Sequence, residues 1–316
     1  MEFGLFNLMS LRQHPQGLGG VLDDMRTMVG LAEDIGFDTA WFAEHHFTNY
    51  SMSVSPLMMA AHMAASTTRI RLGTAVIVLP LYQPMRVAQE IALVDLMSGG
   101  RLVLGVGSGY QPFEFDRYGT EVEARTDTFL QYWDVVEEAL RTGAVSENAA
   151  LSLPETPVLL RPVQRPLPPV FVTGGDPRVL KRFGQIDATP FITAGWRGSE
   201  ALKTMAGKLA GAWEGVGNGA LTRLGVQQYI HVTDSPEDAL AAAECARFVG
   251  RMATDLRARD IARKGAMIEA RPLPDEPSLE TIRDNLIIGP PDYVASRILQ
   301  ETQAMPVTHY NTFFQF

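Results

Sequence analysis

The sequence predicts a single (β/α)₈ TIM barrel, and three observations carry that expectation. Eight short apolar runs rich in β-branched and aromatic residues are spaced along the chain. Eight longer amphipathic segments lie between and after them, which is the alternation of a parallel α/β sheet. The 316 residues fall within the size of one α/β barrel, and no internal repeat or low-complexity tract interrupts them. A doubly wound sheet gives the same local alternation; the eightfold tally favours the barrel.

The elements follow in order. Strands are expected at 2–8, 39–44, 70–78, 102–107, 169–173, 188–193, 224–232 and 307–314. Helices are expected at about 20–35, 55–67, 85–98, 121–141, 176–184, 197–214, 235–259 and 290–304. Asp176-Pro177 and Ser235-Pro236 each place a capping side chain before a first-turn proline, and Gly36 supplies a C-terminal stop. Residues 143–168 break the rhythm with a proline-rich run after the fourth helix, read as an excursion or small hairpin. Residues 257–289 mix charge with RPLPDEP and are long enough for a mobile lid. Strand–helix units resume after both, so residues 1–316 read as one domain.

Composition narrows the function. Hydrophobic residues make up 46% and charged residues 20%, which excludes a disordered or coiled-coil chain. Twenty-seven basic against 36 acidic residues give a net charge of −9 with no long basic cluster, which argues against nucleic acid or an anionic membrane as the main partner. The single cysteine, Cys245, rules out a disulfide framework and a cysteine-rich metal site. MEFGLFNL lacks the basic and long apolar regions of a signal peptide, and no run of about 18 apolar residues occurs. The expectation is a cytoplasmic protein without a membrane span.

A barrel builds its active site at the C-terminal ends of its strands. After the second strand comes Glu44-His45-His46, with the only adjacent pair among six histidines. These are either proton-handling groups or buried hydrogen-bonding residues at a strand end. Neighbours on an extended strand point to opposite faces, so His45 and His46 are poorly placed to chelate one ion, and no His-Glu-x-x-His spacing supplies other ligands; no metal is expected. Glu44 is placed to orient one imidazole. The third strand ends in GTAVIVLP, and Trp41, Ile77, Val78 and Leu79 read as apolar walls at the mouth. On the fourth, Gly105, Gly107 and Gly109 allow close approach by another surface, as a flat ring system requires. Their position and spacing do not fit a dinucleotide fingerprint. After the fifth strand, Thr173-Gly174-Gly175-Asp176 leads into a helix with Arg178 in its first turn. This is either an anion site or a turn that Asp176 caps by itself.

WFAEHHFT, GTAVIVLP, the helix start from Pro84-Met85-Arg86 to Glu90, LMSGGR and GVGSGY together resemble successive strand ends of the bacterial luciferase-like flavin monooxygenase family. The likeness runs along nearly the whole chain and is closest in the first 140 residues. It implies a TIM barrel that takes reduced FMN, usually as a homodimer, with the flavin often supplied by a separate NAD(P)H-dependent reductase. It implies that O₂ reacts at the reduced flavin and that one oxygen atom enters a small hydrophobic organic substrate. His45 falls on the family's catalytic histidine, with Glu44 and His46 beside it, and Ala75-Val76 falls on a non-proline cis peptide that supports the flavin ring. Gly107 and Ser108 fall where luciferase has a cysteine and a flavin-contacting arginine. That departure shifts phosphate binding toward Thr173, Gly174, Gly175, Asp176 and Arg178, where glycines replace hydroxyl residues. Residues 257–289 correspond to the family's lid. The rivals are a deazaflavin-dependent hydride-transfer oxidoreductase on the same barrel, a non-catalytic flavin-binding subunit, and, third, a nicotinamide dehydrogenase.

Overall fold

A computed structural model describes residues 1–314; residues 315 and 316, included in the single-domain expectation, lie outside the described residues. Eight parallel strands close into a barrel: β1 (Glu2–Asn7), β2 (Thr39–Phe42), β3 (Arg71–Thr74), β4 (Leu102–Gly107), β5 (Val170–Val172), β6 (Thr189–Thr193), β7 (Leu224–Val232) and β8 (Val307–Phe313). Each pairs with the next, and β8 returns to β1 in the register Glu2↔His309 to Leu5↔Thr312. The helices around it are α1 (Gly17–Ile35), α2 (Pro56–Ala64), α3 (Pro84–Met97), α4 (Pro112–Tyr118), α5 (Arg125–Thr142), α6 (Pro177–Gly184), α7 (Gly198–Gly215), α8 (Pro236–Asp255), α9 (Leu279–Asn285) and α10 (Pro291–Ala304). The fold is the expected TIM barrel.

The core has two layers. Between strands and helices lie Leu5, Phe42, Ile77, Leu79, Phe129 and Trp133, with the Phe129 and Phe183 rings stacked at 5.3 Å. Full burial of such a side chain contributes about 1.5–3 kcal/mol. Inside the barrel, Trp41 packs edge-on to Phe171 at 4.9 Å, and Phe313 to Phe6 and Tyr229. The Trp41 ring fits because Gly4 and Gly73 lack side chains; a Cβ on Gly73 would lie 2.3 Å from it. Trp41, Ile77 and Leu79 are therefore packing residues, not walls of the mouth, because each lies within 1% of complete burial.

Several boundaries differ from the sequence expectation. The third strand stops at Thr74 and resumes as Ile77–Val78, which pairs with Val106–Gly107; the Ala75–Val76 peptide between them is cis. Thr74 Oγ1 bridges the break, donating to Gly105 O and accepting from Gly105 N–H. A Cβ on Gly105 would lie 2.0 Å from Thr74 O, and one on Gly107 2.6 Å from Thr173 Oγ1. The surface that approaches these two glycines is the protein's own. Residues 143–168 contain a two-stranded antiparallel ribbon, Ala144–Val145 with Thr156–Pro157. Within 257–289, a hairpin pairs Arg263–Lys264 with Met267–Ile268, Ser278 caps α9, and Ile287–Gly289 adds a short strand to the end of β7. These elements are too short to leave a periodic pattern. Arg101, from LMSGGR, donates to the carbonyls of Ala64, Thr67 and Ile70 and so terminates α2.

Candidate functional site

The C-terminal end of β2 carries the charged groups. Glu44 is buried, and its Oε2 accepts from Val78 N–H (3.1 Å) and Tyr82 O–H (2.8 Å). Its Oε1 lies 3.0 Å from His46 Nε2, while His46 Nδ1 lies 3.0 Å from the Tyr118 hydroxyl. Burial pushes the Glu44 carboxyl above its ordinary range, although these hydrogen bonds pull the other way. In the arrangement that satisfies every group, His46 Nε2–H donates to Glu44 and Nδ1 accepts from Tyr118. Both ring nitrogens are then used internally. Glu44 and His46 fasten β2 to the Ile77–Val78 strand and to α4.

His45 lies in the irregular segment beyond β2, and its side chain meets a different set of partners from that of His46. Its Nδ1 is 3.0 Å from Gln111 Nε2 and 3.3 Å from Glu114 Oε1. Glu114 Oε1 also accepts from His46 N–H at 2.7 Å, and the Glu114 side chain is 2% exposed. A carboxylate beside Nδ1 favours a proton on that nitrogen. Gln111 Oε1 is buried without a partner among the described residues, so turning the amide end for end would present its carbonyl to that N–H. Among the described residues no hydrogen bond engages His45 Nε2. The ring is thus oriented through one nitrogen, and the other is left to accept or deliver a proton. Tyr50 packs edge-on to His45 at 4.6 Å, Tyr110 lies 6.3 Å away, and burial raises the Tyr50 hydroxyl.

The other expected residues spread over three neighbouring strand ends. Ala75 and Val76 are half-buried after β3, Gly107 closes β4 with Ser108 half-buried beyond it, and Thr173 to Asp176 follow β5. Gly174, at φ +115°, and Gly175 are exposed with nothing within 4 Å of a Cβ position, so their backbone is open to a ligand. Asp176 caps α6 by accepting from Arg178 N–H at 2.9 Å. The Arg178 guanidinium contacts Asp176 at 2.9 Å and also Asp127, which holds the Asp176 carboxyl below its usual range. The capped turn is formed, and Arg178 is already neutralised by two carboxylates. Arg125, at the start of α5, is half-buried and its guanidinium donates only to Val122 O among the described residues.

Sequence reasoning missed Glu114 and Gln111. Both lie where the chain enters α4, a helix that falls between the expected strand at 102–107 and the expected helix at 121–141; Pro112 at the helix start and Gly119 at its left-handed stop are the signals for it. The 257–289 segment reaches this same region. Asn49 exchanges hydrogen bonds with Ala266 O and Ile268 N–H, Arg259 bridges Asp116 and Glu123, and Arg257 lies over the Tyr110 ring.

A family model described as luciferase-like monooxygenase matches residues 1–309. An uncharacterised protein of Sinorhizobium fredii is 36% identical over 308 residues, covering 96% of this chain and 88% of its own. The oxygenase component of a flavin-dependent trigonelline monooxygenase from Acinetobacter baylyi is 26% identical over 245 residues, covering 77% and 68%. Among solved structures, a monooxygenase from Streptomyces bottropensis shares the fold with TM-score 0.81 at 18% identity, covering 100% of this chain and 92% of that one. An F420-dependent secondary alcohol dehydrogenase does so with TM-score 0.74 at 19% identity, covering 99% and 93%.

Proposed function

The chain belongs to the luciferase-like monooxygenase family, and from that premise we propose that it uses reduced FMN and O₂ to oxygenate a small hydrophobic organic substrate, the flavin coming from a separate NAD(P)H-dependent reductase. The observation that carries the reading is His45, held through Nδ1 by Glu114 and Gln111 with Nε2 left without a partner among the described residues. The relative named as an oxygenase component supports the two-component arrangement. A reductase that draws on NAD(P)H supports a cytoplasmic location; no helix of the described residues is long and apolar enough to cross a membrane.

The residues present fit FMN. The open backbone at Gly174–Gly175 would accommodate a phosphate, with Thr173 as a polar partner and Arg178 available by exchange from Asp176. Ala75, Val76 and Ser108, half-buried at neighbouring strand ends, would form the floor for the ring, beside Gly107. Bound reduced FMN supplies the electrons that activate O₂. His45 holds or moves a proton at Nε2, Glu114 keeps the ring in register, and the 257–289 segment closes over the mouth to exclude water. Mixing the anaerobic complex of reduced FMN with O₂ is expected to release hydrogen peroxide more slowly than free reduced FMN does. Release at the free rate contradicts the reading.

The shared fold of the F420-dependent dehydrogenase keeps hydride transfer from a deazaflavin as the second reading. For assembly we propose a homodimer through α2 and α3. Met58, Leu93, Leu96 and Met97 on these helices are 41–65% exposed, an apolar surface that a partner copy would cover. Sedimentation at micromolar concentration is expected to show a dimer, and Leu96→Glu a monomer; a monomeric parent chain contradicts this.

A further inference from the structure

A cavity lies at the opposite end of the barrel from His45. It measures about 390 Å³ and opens among the N-terminal ends of the strands, between Glu2, Thr39, Arg71, Val170 and His309. That is near the lower bound of ordinary ligand pockets, roughly 300–1,000 Å³. Its walls divide by chemistry. One side is apolar and rigid, formed by Pro166, Pro168, Pro169 and Phe171, with Trp41 at the barrel interior; the Trp41 indole N–H has no partner among the described residues. The other side is cationic.

Three guanidinium groups, those of Arg71, Arg141 and Arg223, face two carboxylates, Glu2 and Asp187. Arg141 is held by Glu137 at 2.6 Å, and Arg223 pairs with Asp187. Arg71 is half-buried and has no carboxylate partner among the described residues; the one hydrogen bond of its guanidinium among them is a 3.4 Å contact with Gln164 Oε1. The two lining acids sit outermost, with side chains 42% and 87% exposed, whereas the His309 side chain is 20% exposed. Burial holds His309 below its ordinary value; Arg71 and Arg223 press the same way, and Glu2, 3.2 Å from Nε2, opposes them. A half-buried guanidinium without a counter-charge is costly unless a ligand supplies one.

We propose that this cavity is a binding site for a small aromatic carboxylate, with the carboxylate on Arg71 and the ring against the proline wall. The site is separate from the flavin and substrate end and does not depend on which flavin the enzyme uses. A guanidinium fork matches a carboxylate in a bidentate pair, and the Glu2 and Asp187 carboxylates lining the same cavity disfavour the second charge of a phosphate.

Calorimetric titration of the full chain with benzoate tests this, with acetate and inorganic phosphate as comparison probes and with or without saturating FMN. Expected are saturable benzoate binding at one site per chain, tighter than acetate and phosphate, and unchanged by FMN. Arg71→Gln should weaken it about tenfold or more, and Arg71→Lys less. Leu167→Trp, which fills the cavity without touching the cation, should also abolish binding and keeps the test open if Arg71→Gln does not fold. Absence of saturable binding, displacement by FMN, tighter phosphate than benzoate, or indifference to these substitutions each overturns the proposal.

Discussion

His45→Ala is expected to lower turnover by roughly 10²–10⁴-fold, the range for loss of a positioned acid–base group, while reduced flavin still binds. The expectation follows from the unequal use of its two nitrogens: Nδ1 faces Glu114 and Gln111, and Nε2 has no partner among the described residues. His46→Ala is the internal control. Its ring lies between Glu44 and Tyr118, so its loss leaves buried polar groups unpaired, costing about 1–3 kcal/mol of stability per group. Turnover per folded molecule should change little. With no substrate in hand, the rate of hydrogen peroxide release from the reduced-flavin complex after mixing with O₂ stands in for turnover. If the two variants alter that rate equally, His45 is only part of the scaffold.

Glu114→Gln should have the second largest effect, on the order of 10²–10⁴-fold in the same assay, because a neutral amide no longer holds the ring proton on His45 Nδ1 and Gln111 Nε2, 3.0 Å away, then donates to that nitrogen and favours the proton on Nε2. The buried acceptor for His46 N–H is retained through the amide oxygen, so the fold should hold. Nitrogen-15 shifts of the His45 ring distinguish positioning from packing. The parent is expected to carry its proton on Nδ1 and the variant on Nε2. An unchanged tautomer with a large loss of rate would mean that Glu114 acts in some other way.

The barrel was legible because its strands are short apolar runs separated by helices with strong start and stop signals, such as Asp176-Pro177 and Ser235-Pro236. Side-chain direction was less so. Trp41 was read as part of the mouth, yet the missing side chains of Gly4 and Gly73 draw it into the interior, and those two glycines are distant in sequence. Gly105 and Gly107 suggested room for a ring, whereas the neighbours filling it are Thr74, Val76 and Thr173 from adjacent strands. The Glu44-His45-His46 cluster could be found because the residues are contiguous. The division of labour within it could not, since it depends on partners 34 to 72 residues away: Val78, Tyr82, Gln111, Glu114 and Tyr118. Arg178 looked free in sequence, and only the fold brings Asp127 to it.

The most direct test of the flavin assignment is an anaerobic titration of the purified chain with photoreduced FMN, oxidised FMN and reduced F420, each followed to saturation. An oxygenase supplied by a separate reductase must capture the reduced cofactor and release the oxidised one. Reduced FMN is therefore expected to bind most tightly of the three. Equal affinity for the two redox forms, or preference for reduced F420, would contradict the assignment.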